Sequence, residues 1–253
     1  PPLALLSGAD GATVAARCPR VAALLPLLAD ALAAQDPAQP GRLFDLAGLD
    51  ELELALIADV GGTGEVVASV ALPDDVTAEI VETVTAGLWR VRFLDAAQTV
   101  VADYLEVGAV PEAVRRAALM TRPALAADAV PPEAVAARAL LSEIEARRDE
   151  WRPGAPNAVV TLSLLPLAEL DMQALRAALG EGPVRVLSRG HGSCRVDATG
   201  TRLVWSVQYF NAAGAVLLDT VEVGDVPAAV RAAAEDFAES AERLREIGAA
   251  YFA

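Results

Sequence analysis

Asp103–Ala118 reads DYLEVGAVPEAVRRAA, and Asp219–Ala234 reads DTVEVGDVPAAVRAAA. Eleven of the sixteen positions are identical, at a constant offset of 116 residues. A repeat of this period makes the supersecondary unit, rather than the whole chain, the object to be read. Working back from the first copy, Leu88–Leu94 (LWRVRFL) alternates, with Trp89, Val91 and Phe93 on one side and Arg90 and Arg92 on the other. Leu203–Phe210 (LVWSVQYF) sets Trp205, Val207 and Tyr209 at the same offset. Asp95–Thr99 and Asn211–Ala215 read as hairpin loops, with Val100–Val107 and Val216–Val223 as the returning strands. Pro111 and Pro227 then open helices, since proline suits a first helical turn.

Further upstream, the first copy predicts a short strand at Leu43–Leu46 and a helix at Asp50–Val60 with Asp50 as N-cap. Gly61-Gly62-Thr63-Gly64 stops that helix, and Glu65–Leu72 is a strand. Asp74–Val84 reads as either strand or helix. The second copy predicts a strand at Val159–Leu165, a helix at Ala168–Leu179 stopped by Gly180-Glu181-Gly182, and strands at Val184–Ser188 and Ser193–Ala198. Its last helix is expected to run from Pro227 to about Ile247. Before the first copy, Pro1–Arg17 shows no period and Pro19–Ala34 reads as a buried helix with a fault at Pro26. Glu133–Trp151 reads as a charged helix joining the copies, without a counterpart in the repeat. The division expected is 1–41 as an N-terminal segment with one helix, 42–120 as the first repeat, 121–154 as linker and connecting helix, and 155–253 as the second repeat. The fold class is α+β: an internally duplicated β-α-β-β-β-α unit, helices packed on mostly antiparallel sheets, in a pseudo-twofold arrangement.

The 253 residues are 54% hydrophobic, with mean hydropathy +0.38, formal net charge −15 and a pI near 4.4. A phosphate-backbone binder needs clustered Lys and Arg, so nucleic-acid binding is disfavoured. The acidity keeps an apolar chain soluble and attracts basic partners. Two cysteines, Cys18 and Cys194, and one histidine, His191, cannot make a four-ligand zinc site of Cys and His alone. Two distant thiols fit a reducing compartment. The apolar run Val21–Ala29 is too short to span a bilayer. No secretory signal is recognised, and a cytoplasmic location without membrane insertion is expected.

Candidate chemistry is sparse. Gly61–Gly64 precedes a strand, so it reads as a turn rather than a phosphate loop, which needs a following helix N-terminus. Cys18 and His191 form no local nucleophile pair. No catalytic residue, metal ligand or cofactor is expected. Asp103 and Asp219 recur on strand faces that are otherwise apolar, where a carboxylate must be paired. A hydrogen bond to backbone or to an indole N–H would satisfy each, and an anchor for a bound segment is the functional alternative. Arg90, Arg92, Glu106 and Glu222 are placed on the opposite strand face, either solvated or covered. Trp89 and Trp205 read as core. These eight residues, Trp89, Arg90, Arg92, Asp103, Glu106, Trp205, Asp219 and Glu222, are the candidate partner-binding set.

Gly62-x-Gly64-x-Val66, Gly87–Arg92 (GLWRVR), Val184–Trp205 (VRVLSRGHGSCRVDATGTRLVW) and Val223–Arg231 agree in order and spacing with a known pattern, and Ala198-Thr199-Gly200 is close to it. On these blocks the chain resembles the HupH/HyaF hydrogenase expression/formation family from about Cys18 onward. The resemblance implies a non-enzymatic maturation chaperone for membrane-bound uptake [NiFe]-hydrogenases. Its cargo would be the precursor of the iron–sulfur small subunit, which carries a twin-arginine signal peptide, and a thioredoxin-like maturation protein would be its companion. The resemblance supplies no catalytic residues, and position 194 also accepts a small polar residue in the family. Competing readings are a scaffold that binds only the companion protein and a thiol-dependent enzyme of cluster assembly.

Overall fold

A computed structural model describes residues 2–126, 130–190 and 192–252. The chain divides into two compact units: 1–67, 78–112 and 231–253 form the first, and 68–77 with 113–230 form the second.

In the first unit, Gly11–Arg17 is helix α1, opened by the Asp10 carboxylate accepting from the Thr13 amide at 2.8 Å. The stretch Pro1–Arg17, which shows no period in the sequence, is therefore helical in part. Helix α2 (Pro19–Ala33) follows, with Pro26 on its exposed side, where solvent can serve the carbonyl that loses its helical bond. Strand β1 (Arg42–Asp45) pairs antiparallel with β5 (Val100–Val107), and β5 pairs antiparallel with β4 (Leu88–Leu94). The sheet order here is β1-β5-β4-β3, and β3 (Thr77–Glu82) resolves the ambiguous stretch as strand. Helix α3 (Glu51–Gly61) carries a capping box: Asp50 accepts from the Glu53 amide, and Glu53 from the Asp50 amide. β2 (Val66–Ala71) follows it, its residues 68–71 counted with the second unit. The core of this unit joins Val21, Leu25, Leu28 and Leu32 of α2 to Leu56, Leu105 and Val107, and to Phe237, Ala241 and Leu244.

Those last three residues lie on the C-terminal helix, which the sequence reading places in the second repeat as a continuous run from Pro227. Instead a short 3-10 turn, Ala228–Val230, is followed by a break. The Ala232 amide donates to the Ala109 carbonyl at 3.0 Å, and the Ala233 amide to the Asp236 carboxylate at 2.8 Å. The matching segment of the first copy is helical throughout. The final helix, labelled α7 below and spanning Ala234–Phe252, thus starts afresh and packs on α2.

In the second unit, helix α4 (Glu112–Leu119) is mostly included, followed by α5 (Val135–Glu150), β6 (Ala158–Thr161) and α6 (Glu169–Leu179). The expected strand at 159–165 ends early because Leu162–Leu164 closes into a 3-10 turn. β7 (Glu181–Ser188), β8 (Ser193–Thr199), β9 (Val204–Phe210) and β10 (Val216–Val223) then form antiparallel neighbours, in the order β7-β8-β9-β10-β6. Ile144, Leu175, Leu179, Val204, Val221 and Val223 fill the core beneath α5 and α6.

The two units share local devices. Glu53 on α3 accepts from the Arg20 amide at the start of α2 (3.1 Å), and Asp171 on α6 accepts from the Ala137 amide at the start of α5 (3.1 Å). Helix α5 is therefore used as α2 is, contrary to the expectation that it has no counterpart. Thr83 and Thr199 Oγ1 each receive the amide two residues on, at 3.1 and 3.2 Å. Gly64 and Gly182 hold equivalent tight approaches: a Cβ on either would lie 2.3 Å from a backbone carbonyl, of Thr83 and Thr199 respectively. Gly64, at the end of the Gly61–Gly64 turn, thus permits close packing of backbone on backbone.

Candidate functional site

The β4–β5 ladder decides which candidate residues meet. Arg92 lies opposite Asp103, Arg90 opposite Leu105, and Trp89 opposite Glu106. Arg90, Arg92 and Asp103 therefore share one face, and Glu106 lies with Trp89 on the other. This corrects the face assignment read from the sequence, because parity along one strand does not set the register across two. Asp103 is held by Arg90 through two hydrogen bonds, Nε to Oδ1 at 3.1 Å and Nη2 to Oδ2 at 2.7 Å. Its partner is thus neither backbone nor indole. Arg92 turns instead to Glu79 at 2.9 Å.

The indoles have another use. Trp89 Nε1 donates to the Gly108 carbonyl at 2.8 Å, and Trp205 Nε1 to the Gly224 carbonyl at 3.3 Å. Both rings are buried. Glu106 is buried too, and its Oε1 accepts from the Glu112 amide at the start of α4 (2.8 Å). Glu222 accepts from Asn157 Nδ2 at 3.1 Å, and the same amide group donates to the Asp225 carbonyl. Trp89, Trp205 and Glu106 are consequently internal parts of the fold and offer no surface to a partner.

Asp219 has a different setting from Asp103. Gln208 stands opposite it where Arg92 stands opposite Asp103, and Ser206 occupies the position matching Arg90. With no guanidinium arriving from the strand, Asp219 accepts from Gln208 Nε2 at 3.1 Å and from Arg176 of α6 at 3.4 Å. Around these groups opens a cleft of about 670 Å³ between α6 and the sheet face, lined among others by Arg176, Arg195, Asp197, Ser206, Gln208 and Asp219. The corresponding face of the first unit, by α3, leaves about 190 Å³ and includes Arg90 and Arg92. In the second unit, Arg195 contacts Asp197 at 3.1 Å and Gln208 at 2.7 Å, and Arg185 contacts Asp197 at 3.3 Å. The Arg195-x-Asp197 alternation on one strand is the sequence signal that would have drawn these residues in.

The titratable groups elsewhere point away from thiol chemistry. Burial, with Glu222 nearby, pushes the Cys194 thiol up to about 11. Burial and the Glu53 and Asp50 carboxylates raise that of Cys18. A thiol held protonated is a poor nucleophile. His191 lies outside the described residues. Among the described residues no group of three or more His, Cys, Asp and Glu side chains is arranged for a metal ion, and no single helix is long and apolar enough to cross a membrane. Burial drives the Glu82 carboxyl, at the end of β3, up to about 7.

The sequence profile of the HupH hydrogenase expression protein, C-terminal conserved region, matches this chain twice, over residues 20–121 and 134–251. The chain belongs to the HupH hydrogenase expression family. The hydrogenase expression/formation protein HupH of Rhizobium leguminosarum bv. viciae is 47% identical over 93% of this chain and 84% of its own length. HoxQ, a hydrogenase expression/formation protein of Cupriavidus necator, is 39% identical over 88% of this chain and 79% of its own. The solved structure of the hydrogenase expression protein HupH from Thiobacillus denitrificans superposes with a TM-score of 0.40 at 32% identity, covering 49% of this chain and 96% of that one. In this HupH-family chain the first profile match takes in α2 and the second takes in α5, in agreement with the shared capping by Glu53 and Asp171. Relatives named for hydrogenase expression and formation assign the chain a role in hydrogenase maturation.

Proposed function

We propose that the chain is a non-enzymatic assembly chaperone for the iron–sulfur small-subunit precursor of a membrane-bound uptake [NiFe]-hydrogenase, acting in the cytoplasm before export. The observation that carries this reading is the double family match over nearly the whole chain, together with relatives named for hydrogenase expression and formation. The matched sixteen-residue segments, paired caps and paired threonine turns support one unit present twice by duplication. The two raised thiols work against the thiol-dependent alternative, which would need a thiolate. The formal charge of −15 favours a basic partner segment, as at the start of a twin-arginine signal peptide. A thioredoxin-like maturation protein is the companion in this scheme.

Co-purification with the unprocessed small subunit, with and without its signal peptide and at low and moderate salt, tests the proposal. Signal-dependent capture that weakens with salt is expected, because exposed charges are screened at physiological ionic strength. Capture of the companion protein alone, with no precursor in any condition, would replace the chaperone by the scaffold.

A further inference from the structure

The two units treat one recurring aspartate differently. In the first, Asp103 is closed by the guanidinium of Arg90 from the neighbouring strand, through two hydrogen bonds at 2.7 and 3.1 Å. In the second, the residue matching Arg90 is Ser206, and both Ser206 and Asp219 line the cleft. Asp219 keeps the same inward position, its side chain 14% exposed against 16% for Asp103. What remains on it is one amide and one arginine contact at 3.4 Å, and Arg176, the source of that contact, is 65% exposed. An ion pair of that length and exposure contributes little and is easily displaced.

We propose that the cleft of the second unit is a seat for an arginine side chain brought by a polypeptide partner. Arg90 on Asp103 is the template for the bound state. The incoming guanidinium donates two hydrogen bonds to the Asp219 carboxylate, above Ser206, and Arg176 swings into solvent. Planar guanidinium suits a carboxylate in this paired geometry, and lysine does not reproduce it. Exposed apolar residues adjoining lining residues in the chain favour a peptide over a free small cation: Leu164 stands two residues beyond the lining Leu162, and Leu217 lies at the bulge two residues before the lining Asp219. The net negative charge of the chain favours the approach of a basic segment, and within the lining Arg176, Arg185 and Arg195 are balanced by Glu181, Asp197 and Asp219. The inference deepens the function proposed above; only the identity of the partner rests on that reading.

The test is calorimetric titration of the full chain with a short capped peptide carrying one arginine between two leucines, beside analogues with citrulline, lysine or glutamate in its place. The arginine peptide is expected to bind at least about tenfold more tightly than the citrulline peptide, the loss of a charged hydrogen-bonded pair. Ser206→Arg, which installs the residue of the first unit, should abolish binding while circular dichroism stays unchanged. Arg176→Ala, an exposed change with little risk to folding, should tighten binding up to about fivefold by removing the competitor. Equal binding of arginine and citrulline peptides, preference for the glutamate peptide, or weaker binding by Arg176→Ala would each overturn the seat. Peptide binding without capture of the hydrogenase precursor would keep the seat and remove the proposed cargo. Capture that survives Ser206→Arg unchanged would keep the cargo and remove the seat.

Discussion

Replacing Glu82 with Gln should stabilise the protein at pH 8 and leave it nearly unchanged at pH 4.5. Glu82 closes β3, is 9% exposed, and accepts from the Gly87 amide at 3.3 Å through Oε1. Burial, the largest influence, lifts its carboxyl from 4.5 to about 7; the Gly87 hydrogen bond opposes this, and Asp236 and Glu65 add to the rise. The folded protein therefore holds this proton over a range where the unfolded chain has lost it. Glu82 costs nothing below about pH 4.5, and stability then falls as pH rises, levelling off above about pH 7. At about 1.4 kcal/mol per pH unit across that window, the full cost is about 3 kcal/mol. The amide oxygen of Gln can still accept from Gly87, and the matching position of the second copy is Ala198, so a neutral side chain suits the site. Urea unfolding followed by tryptophan fluorescence at several pH values gives the comparison. The gap in favour of Glu82→Gln should open between pH 5 and 7 and then stay constant. Parallel pH profiles for the two proteins, or a variant less stable at pH 8, would refute the assignment of a strained buried carboxylate.

Arg90→Ala should cost about 1–3 kcal/mol in the same assay, because it strips both hydrogen bonds from a mostly buried Asp103; Arg176→Ala, with its exposed 3.4 Å contact, should fall within about 0.5 kcal/mol of the parent. Gly64→Ala should lose about 3 kcal/mol, since its Cβ would lie 2.3 Å from the Thr83 carbonyl, whereas Gly214→Ala, with open space but φ +79, should lose about 1 kcal/mol. Cys18 and Cys194, both buried with raised pKa, should resist alkylation at pH 7 in the folded protein and react on unfolding, as mass spectrometry would detect. Replacing both with Ser should leave hydrogenase maturation intact; lost maturation with normal folding would restore the thiol-dependent reading.

Local order was legible in the sequence wherever one physical rule dominated. The alternation of Leu88–Leu94 and Leu203–Phe210, the cap at Asp50 and the glycine stops after α3 and α6 all report choices made within a few residues, and the structure follows them. The family was legible as well, because several separated blocks agree in order. Three matters were decided only in three dimensions. The register between β4 and β5 put Arg90 and Arg92 beside Asp103 and buried Glu106 with Trp89, since the alternation of one strand says nothing of its alignment with the next. The last helix broke after Val230 and packed on α2, because the bonds at Ala232 and Ala233 outweigh the helical tendency of an alanine run. The cleft reaches Asp219 past a serine that stands where its repeat has an arginine. That single difference is visible in the sequence, but its meaning depends on which side chains the sheet brings within hydrogen-bonding distance.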